Sequence, residues 1–358
     1  MSVQTANFFT MDTLAESTVI TKEADAGKEA NTKIEEICKE VEGRISNTIE
    51  GSEVWLLNNR GSLIDTYSQN LSNETANLLI LAKQMKEQTN GAFNPNLGEL
   101  INLWGINNQD DNFVPKLPEK TDFYPAVEQL QNYDYEIEQN GDGYIFYSPV
   151  NPGPKIDLGA IGKGYATDKI SDYLIEAGIP NALVSLGGSS ILAAGKNKID
   201  NLWTVALKDP LHPDDVDKVC GYISATDKYI SVSGGYERFI TINGVDYCHI
   251  IDPETGYPVD NDLLCTVVIM NAPSALQTKE NNEKLKNNGA IADALSTALY
   301  VMGKDKALKF YNTTSLDFEM ILFVKSDNPR GYEIIPTNVM FTEFEQTTQN
   351  ERLTPKFD

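Results

Sequence analysis

Histidine is almost missing from this 358-residue chain, which contains only His212 and His249. That excludes a metal centre built from several imidazoles. Cysteine is scarce too: Cys38, Cys220, Cys248 and Cys265 include no C-x-x-C pair. They read as reduced core thiols, not as a disulfide framework or a zinc site. Positive charge is short, with 29 basic against 52 acidic residues and a net charge of -23. Such a surface repels nucleic acid and anionic membranes, so neither is expected as a partner. It repels anionic ligands as well, so any phosphate site must be local, supplied by backbone amides, a metal or a placed lysine. No apolar run reaches about 18 residues, so no membrane span is expected. The first ten residues lack the basic and apolar regions of a leader. The chain as it stands therefore reads as cytoplasmic. An exported or membrane-anchored protein whose leader had been removed would present the same sequence.

What is present is an ordinary core-forming composition, 41% hydrophobic and 23% charged. The length suits one large domain or two smaller ones; we read residues 1–358 as one domain, with two lobes conceivable. Alternation over 7–21 predicts an opening strand. An apolar stripe of Ile34, Ile37, Cys38, Val41 and Ile45 predicts a helix over 29–46. A second helix spans 73–89, with Ser72 as N-cap and Gly91 after its end. Strands follow around Tyr135-Glu-Ile-Glu and Gly143-Tyr-Ile-Phe-Tyr, then a helix over 163–177 closing at Gly178. Short strands come next, at 181–186, 202–207, 219–225, 229–233, 238–242, 247–251 and 263–269. A polar stretch, 274–288, reads as a solvated surface insertion. Helices near 290–303 and 304–311 and strands at 318–324 and 332–335 finish the core. Helices fall between groups of strands instead of alternating with single strands, which predicts an α+β fold with antiparallel-rich sheets.

The most informative segment is Ala290-Ile-Ala-Asp-Ala-Leu-Ser-Thr-Ala-Leu-Tyr-Val-Met-Gly303. Within an apolar helix it places Asp293, Ser296 and Thr297 three and four residues apart, on one face. A carboxylate among Ala, Leu, Val and Met is costly to desolvate unless something pairs with it. Three hard oxygens converging there suit a small cation such as Mg2+. The plainer alternative is an Asp near the helix start facing the dipole, with both hydroxyls bonded back to the preceding turn.

Lys155-Ile-Asp-Leu-Gly-Ala-Ile-Gly-Lys-Gly-Tyr-Ala-Thr-Asp168 resembles a phosphate loop but lacks the P-loop spacing. Gly159, Gly162 and Gly164 would let the backbone approach a ligand, and a helix start offers amides to an anion. Lys163 at that start opposes the helix dipole and so suggests an anionic partner. The alternative is a glycine-rich turn with Lys163 in solvent. Val184-Ser-Leu-Gly-Gly-Ser-Ser-Ile191 is a weaker signal of the same kind. In Cys248-His-Ile-Ile-Asp-Pro-Glu-Thr-Gly-Tyr-Pro258, His249 ends a strand and leads into a tight turn. An imidazole there could accept a proton from a hydroxyl nucleophile, although a lone histidine beside a strand is more often structural.

Five stretches in this order resemble the FAD:protein FMN transferases, the ApbE family: Phe9-Thr-Met-Asp-Thr13, Gly91-Ala-Phe-Asn-Pro95, Asp157-Leu-Gly-Ala-Ile-Gly-Lys-Gly164, His249-Ile-Ile-Asp-Pro-Glu-Thr-Gly256 and Ala292-Asp-Ala-Leu-Ser-Thr297. They span residues 8 to about 303. The resemblance implies a T-fold-like α+β architecture and Mg2+-dependent cleavage of FAD. FMN passes to a Thr or Ser hydroxyl of an acceptor protein and AMP is released. Acceptors in such systems are Rnf- or NADH:quinone reductase-type subunits and flavin-carrying reductases. Some members instead hydrolyse FAD to FMN and AMP, and a non-catalytic FAD-binding protein is the further alternative. Carried over by position, Met11, Ala92, Phe93, Asn94, Asp157, Lys163, His249, Ile251 and Asp252 would contact FAD. Ala160 (by its carbonyl), Asp293, Ser296 and Thr297 would hold the metal, with His249 and Asp293 as catalytic groups. Two departures stand out. The family's Gly-Ala-Phe-Asp is Gly91-Ala-Phe-Asn94 here. Where members place an aromatic residue, this chain has Ser46-Asn-Thr48, leading to Ser52 and Asn58, so the ring stacking on the isoalloxazine is not evident.

Overall fold

The computed structural model describes residues 1–59, 67–106, 108, 113–150, 153–215, 217–337 and 340–347. The chain forms two compact units: residues 1–39, 163–237 and 262 onward make the first, and 40–162 with 238–261 the second.

The first unit is organised on an eight-stranded antiparallel sheet. Its strands are β1 (Ser2–Thr10), β2 (Thr13–Thr21), β6 (Asn181–Leu186), β7 (Ser190–Ala194), β10 (Lys228–Gly234), β13 (Leu263–Asn271), β14 (Glu319–Lys325) and β15 (Tyr332–Pro336), adjacent in that order. The expected single strand over 7–21 is in fact the hairpin β1–β2, with Thr10 opposite Thr13 and Phe9 opposite Leu14. Met11 and Asp12 form the turn at φ 50 and 56, the left-handed pair that suits a two-residue hairpin. The turn sets Thr10 opposite Thr13 and Phe8 opposite Ala15, so Phe8, Thr10, Ala15 and Ser17 line one buried face while the buried positions pass from even to odd numbers across it. One sheet face packs against a smaller sheet of β8 (Trp203–Lys208), β9 (Val219–Ala225) and β16 (Phe344–Gln346). Ile20, Ile191, Ile230, Val267, Ile321 and Phe323 fill that core.

Helix α1 (Ala24–Ile45) runs from the first unit into the second, and α6 (Gly162–Glu176) begins at the boundary. Helix α8 (Asn288–Thr313) merges the two expected helices, with a break at Gly303, where φ 73 and ψ 171 leave helical space. Its buried stripe includes Ala290, Ala294, Leu295, Ala298 and Leu299. The polar insertion contains α7 (Lys279–Lys284), capped by Thr278. The short α9 (Met340–Glu343) precedes β16.

The second unit holds α2 (Glu53–Asn58), the sheet β3 (Tyr67–Leu71), β5 (Gly143–Ser148) and β4 (Glu136–Asn140), helices α3 (Asn73–Gln88), α4 (Gly98–Trp104) and α5 (Lys120–Asn132), and the hairpin β11 (Phe239–Ile242)–β12 (Val245–Cys248). Ser72 caps α3 by accepting the Thr75 amide at 3.2 Å. Past its end, the Gly91 amide reaches back to the Lys86 carbonyl at 2.8 Å, with Gly91 at φ +84. Helix α5, over which no element was expected, accommodates Pro125, a residue that disfavours a helix interior. Trp104, Leu100, Phe123 and Leu130 form this unit's core. Among the described residues no helix is long and apolar enough to cross a membrane.

Candidate active site

In the first unit the helix starts of α6 and α8 meet at two glycines. A Cβ on Gly164 would lie 2.1 Å from the Gly289 carbonyl oxygen and 2.6 Å from the Asp293 Cβ. Only glycine permits that approach, and it lets the Gly164 amide donate to Asp293 Oδ2 at 2.9 Å. The Ser190 hydroxyl of β7 donates to Asp293 Oδ1 at 3.3 Å. Asp293 is 4% exposed, and burial pushes its carboxyl above the usual carboxylate range. The Lys163 ammonium, the Gly164 amide and Ser190 act in the opposite direction and favour the charged form.

One turn further along α8 the hydroxyls join a second strand. Ser296 donates back to the Asp293 carbonyl at 2.9 Å, and the plainer alternative therefore describes this side chain well. Its oxygen also lies 2.7 Å from the Ser233 hydroxyl of β10, which is 3.1 Å from the half-buried Thr297 hydroxyl. Thr266 of β13 holds the Ser296 carbonyl at 2.6 Å.

A third contact fixes the start of α8. Asp168 of α6, 6% exposed, accepts the Gly289 and Ala290 amides, both at 2.8 Å, one on each carboxylate oxygen. Burial raises its pKa from 3.8 to about 7, against the lowering effect of those two amides. The fully buried Tyr229 hydroxyl lies beside this carboxylate and Ser171.

Met11, also in the first unit, sits in the β1–β2 turn. Next to it Thr13 packs on Gly187, whose Cβ would fall 2.3 Å from the Thr13 hydroxyl oxygen, and the Gly187 amide bonds the Leu14 carbonyl at 3.1 Å. Gly187 lies three residues before Ser190, so the hairpin end and Asp293 are linked through the β6–β7 turn.

The other expected residues belong to the second unit. Phe93 and Asn94 are buried; the Phe93 amide bonds the Thr89 hydroxyl at 3.1 Å, and the Asn94 side chain accepts the Asn96 amide at 3.0 Å. The Asp157 amide donates to the Pro95 carbonyl at 2.7 Å, joining two of the expected motifs. Its carboxylate takes the Asn47 side-chain amide at 2.6 Å and the Gly159 amide at 2.8 Å. Ala160 lies in the following turn, where the Leu158 carbonyl receives the Ile161 and Gly162 amides. Ile251 is core, packed with Leu100 and Trp104, so only its backbone is available to a ligand. The Asp252 carboxylate is used locally, accepting the Glu254 amide at 2.9 Å and the Thr255 hydroxyl at 3.1 Å. His249 places Nδ1 3.1 Å from the Arg238 carbonyl. A proton shared there makes Nε2 the basic nitrogen.

Sequence reasoning missed Ser190, Ser233, Asp168 and Asn47. For Ser233 a signal existed: Ser231 and Ser233 are two apart in a strand beside Tyr229, Ile230 and Val232, hence on one face, and both are buried.

Among the described residues no three His, Cys, Asp or Glu side chains converge as a metal cage. The donor chemistry nonetheless fits Mg2+. Asp293, Thr297 and Ser296 offer hard oxygens with a single carboxylate. That suits an ion that keeps waters and takes further oxygens from substrate phosphates.

The fold is an α+β arrangement shared with solved flavin transferases. An ApbE protein from Thermotoga maritima, 26% identical, superposes with a TM-score of 0.76 over 96% of this chain and 99% of its own. The flavin transferase ApbE from Vibrio cholerae, 23% identical, shares the fold with a TM-score of 0.74 over 96% of this chain and all of its own. Residues 11–322 match the ApbE family, and the chain belongs to it. A curated relative, the FAD:protein FMN transferase of Haemophilus influenzae, is 28% identical over 308 residues, 84% of this chain and 80% of that protein. The Escherichia coli K12 protein of the same name is 30% identical over 251 residues, 70% of this chain and 65% of its own.

Proposed function

We propose that this chain transfers the FMN half of FAD to a Ser or Thr hydroxyl of an acceptor protein. The observation that carries the reading is the buried Asp293, held by the Gly164 amide and Ser190 beside Lys163, at a helix start rich in glycine. A buried carboxylate with a nearby ammonium is a device for a charged reaction centre; a simple flavin carrier does not need it. Family membership and the names of the relatives support the same reading.

In the proposed reaction the acceptor hydroxyl attacks the FMN phosphorus. One P–O bond forms to the acceptor, the pyrophosphate P–O bond breaks, AMP leaves, and the hydroxyl proton passes to a base. His249 is the base, with Nδ1 oriented by the Arg238 carbonyl. Lys163 and the glycine-loop amides hold the phosphates. Asp293, Thr297 and Ser296, with the Ala160 carbonyl, would hold Mg2+. Bound there, Mg2+ would neutralise pyrophosphate charge and stabilise the leaving AMP. Met11, Ala92, Phe93, Asn94, Asp157, Ile251 and Asp252 would contact FAD. Rnf-type and NADH:quinone reductase-type subunits are the acceptors to try.

The test is incubation with FAD, Mg2+ and such an acceptor domain. Expected are flavin fluorescence fixed to the acceptor in a denaturing gel, one AMP per FMN transferred, and loss of both with EDTA. AMP and free FMN without labelled acceptor would replace transfer by hydrolysis, and uncleaved bound FAD would overturn both.

A further inference from the structure

The end of the β1–β2 hairpin carries apolar surface that the fold does not use. Phe9 and Leu14 face each other across the two strands and are 68% and 66% exposed. Further along the same sheet face Val3 and Ile20 are packed into the core between the sheets, so burial stops short of the hairpin end. A cross-strand Phe–Leu pair left in water forgoes the favourable burial of two large apolar side chains, and a partner that covered both would recover it. The hairpin is not a loose flap. Its two-residue turn is joined through Thr13 and Leu14 to Gly187. Strand β1 is also the edge of the eight-stranded sheet among the described residues.

Charge narrows the occupant. Residues 1–21 contain no Lys, Arg or His, and their only charged side chains are Asp12 and Glu16. Both are exposed, on either side of Leu14 in sequence. The chain as a whole carries -23. An apolar pair flanked by acids on an acidic protein suits a partner that is apolar and basic.

Position narrows it further. Leu14 bonds the turn that leads, three residues on, to Ser190, and Ser190 donates to Asp293. A chain anchored on the hairpin end is thus held beside the β6–β7 hairpin, whose Ser190 donates to the reactive carboxylate of α8. Transfer to a protein requires some surface to hold that protein while its hydroxyl reaches the phosphate. We infer that Phe9 and Leu14 dock an extended segment of the acceptor protein, apolar and flanked by Lys or Arg. This deepens the transferase reading and rests on it.

The test compares the wild-type chain, a Phe9→Ser/Leu14→Ser double variant and a Glu16→Lys variant. The probe is an Rnf-type acceptor domain, and FAD affinity, FAD cleavage without acceptor and solution mass are measured alongside. Both substituted apolar side chains are exposed, so folding is retained. The expected result is a rise of at least about tenfold in KM for the acceptor in the double variant. FAD affinity and kcat at saturating acceptor stay unchanged. Glu16→Lys raises the KM by about threefold at low salt, an effect that fades in high salt. An unchanged KM in the double variant overturns the docking site. A wild-type dimer that the double variant dissociates, with KM unaltered, also overturns it and assigns the patch to self-association. If the wild-type chain binds FAD but labels no acceptor, the transferase reading itself fails and the docking site with it. That outcome is separate from a failure of docking alone.

Discussion

Asp168 and Gly289, 121 residues apart, are joined by a 2.8 Å hydrogen bond from the Gly289 amide to the Asp168 carboxylate. With the twin bond from Ala290, it ties the first turn of α8 to α6. Lys163 and Gly164 lie one turn before Asp168 on α6, and Asp293 one turn after Gly289 on α8. The clamp therefore sets the register of the groups proposed to act on pyrophosphate.

The raised pKa of Asp168 gives stability a definite pH dependence. Its folded value, about 7, lies above the ordinary 3.8, so the folded state binds the proton more tightly than the unfolded chain. The stabilising increment is therefore fully present below pH 3.8 and is lost as pH rises through about 7, at up to about 1.4 kcal/mol per pH unit. Asp168→Asn lacks this titration. Urea unfolding at pH 5 and pH 8 should show wild type losing about 2–3 kcal/mol more than the variant. Parallel losses in the two proteins would refute the assignment.

Asp293→Ala should lower FMN transfer by at least about 100-fold. The thermal midpoint should hold or rise, because the lost bonds are offset by removal of a buried charge. EDTA should silence the wild type, with recovery on adding Mg2+, and should leave the variant's residual rate unaltered. Circular dichroism and AMP release check both halves.

His249→Gln should cut kcat by about 100–10,000-fold with FAD affinity kept, the range expected for loss of a general base. Equilibrium flavin fluorescence together with single-turnover AMP release separates binding from chemistry. Full turnover in the variant would remove His249 from the reaction.

Gly164→Ala places a methyl group against the Gly289 carbonyl and the Asp293 Cβ. Backbone cannot yield as a flexible side chain does, so a loss of about 1–3 kcal/mol is expected in urea unfolding. Transfer should fall as well, since α6 and α8 must separate. Gly178→Ala tests positive φ instead: Gly178 has φ +66 and open space around its Cβ. It should cost about 1 kcal/mol and leave turnover unchanged.

Much of the fold was legible because local rules produced it. Ser72, the Leu-rich stripe after it and Gly91 marked α3 without any distant partner. Asp293, Ser296 and Thr297 were found by helical spacing alone, since three- and four-residue neighbours share a face in any α-helix. The Met11–Asp12 turn escaped because neither residue is the glycine that usually marks a two-residue hairpin turn, and α5, over which no element was expected, contains Pro125, which disfavours a helix interior.

By itself, the sequence determined which residues could carry charge and chemistry: one buried carboxylate, a lysine at a glycine-rich helix start, a histidine before a tight turn. Family, fold class and the order of motifs were contained in it as well. Only the tertiary structure decided their company. Ser190 reaches Asp293 across 103 residues and Ser233 reaches Ser296 across 63. Asp168 caps a helix 121 residues away. Such pairs follow from sheet order and from the closeness that Gly164 and Gly289 allow, and no local spacing encodes them. A hydrogen bond forms only where packing brings donor and acceptor within about 3 Å, and that distance is set by the whole fold.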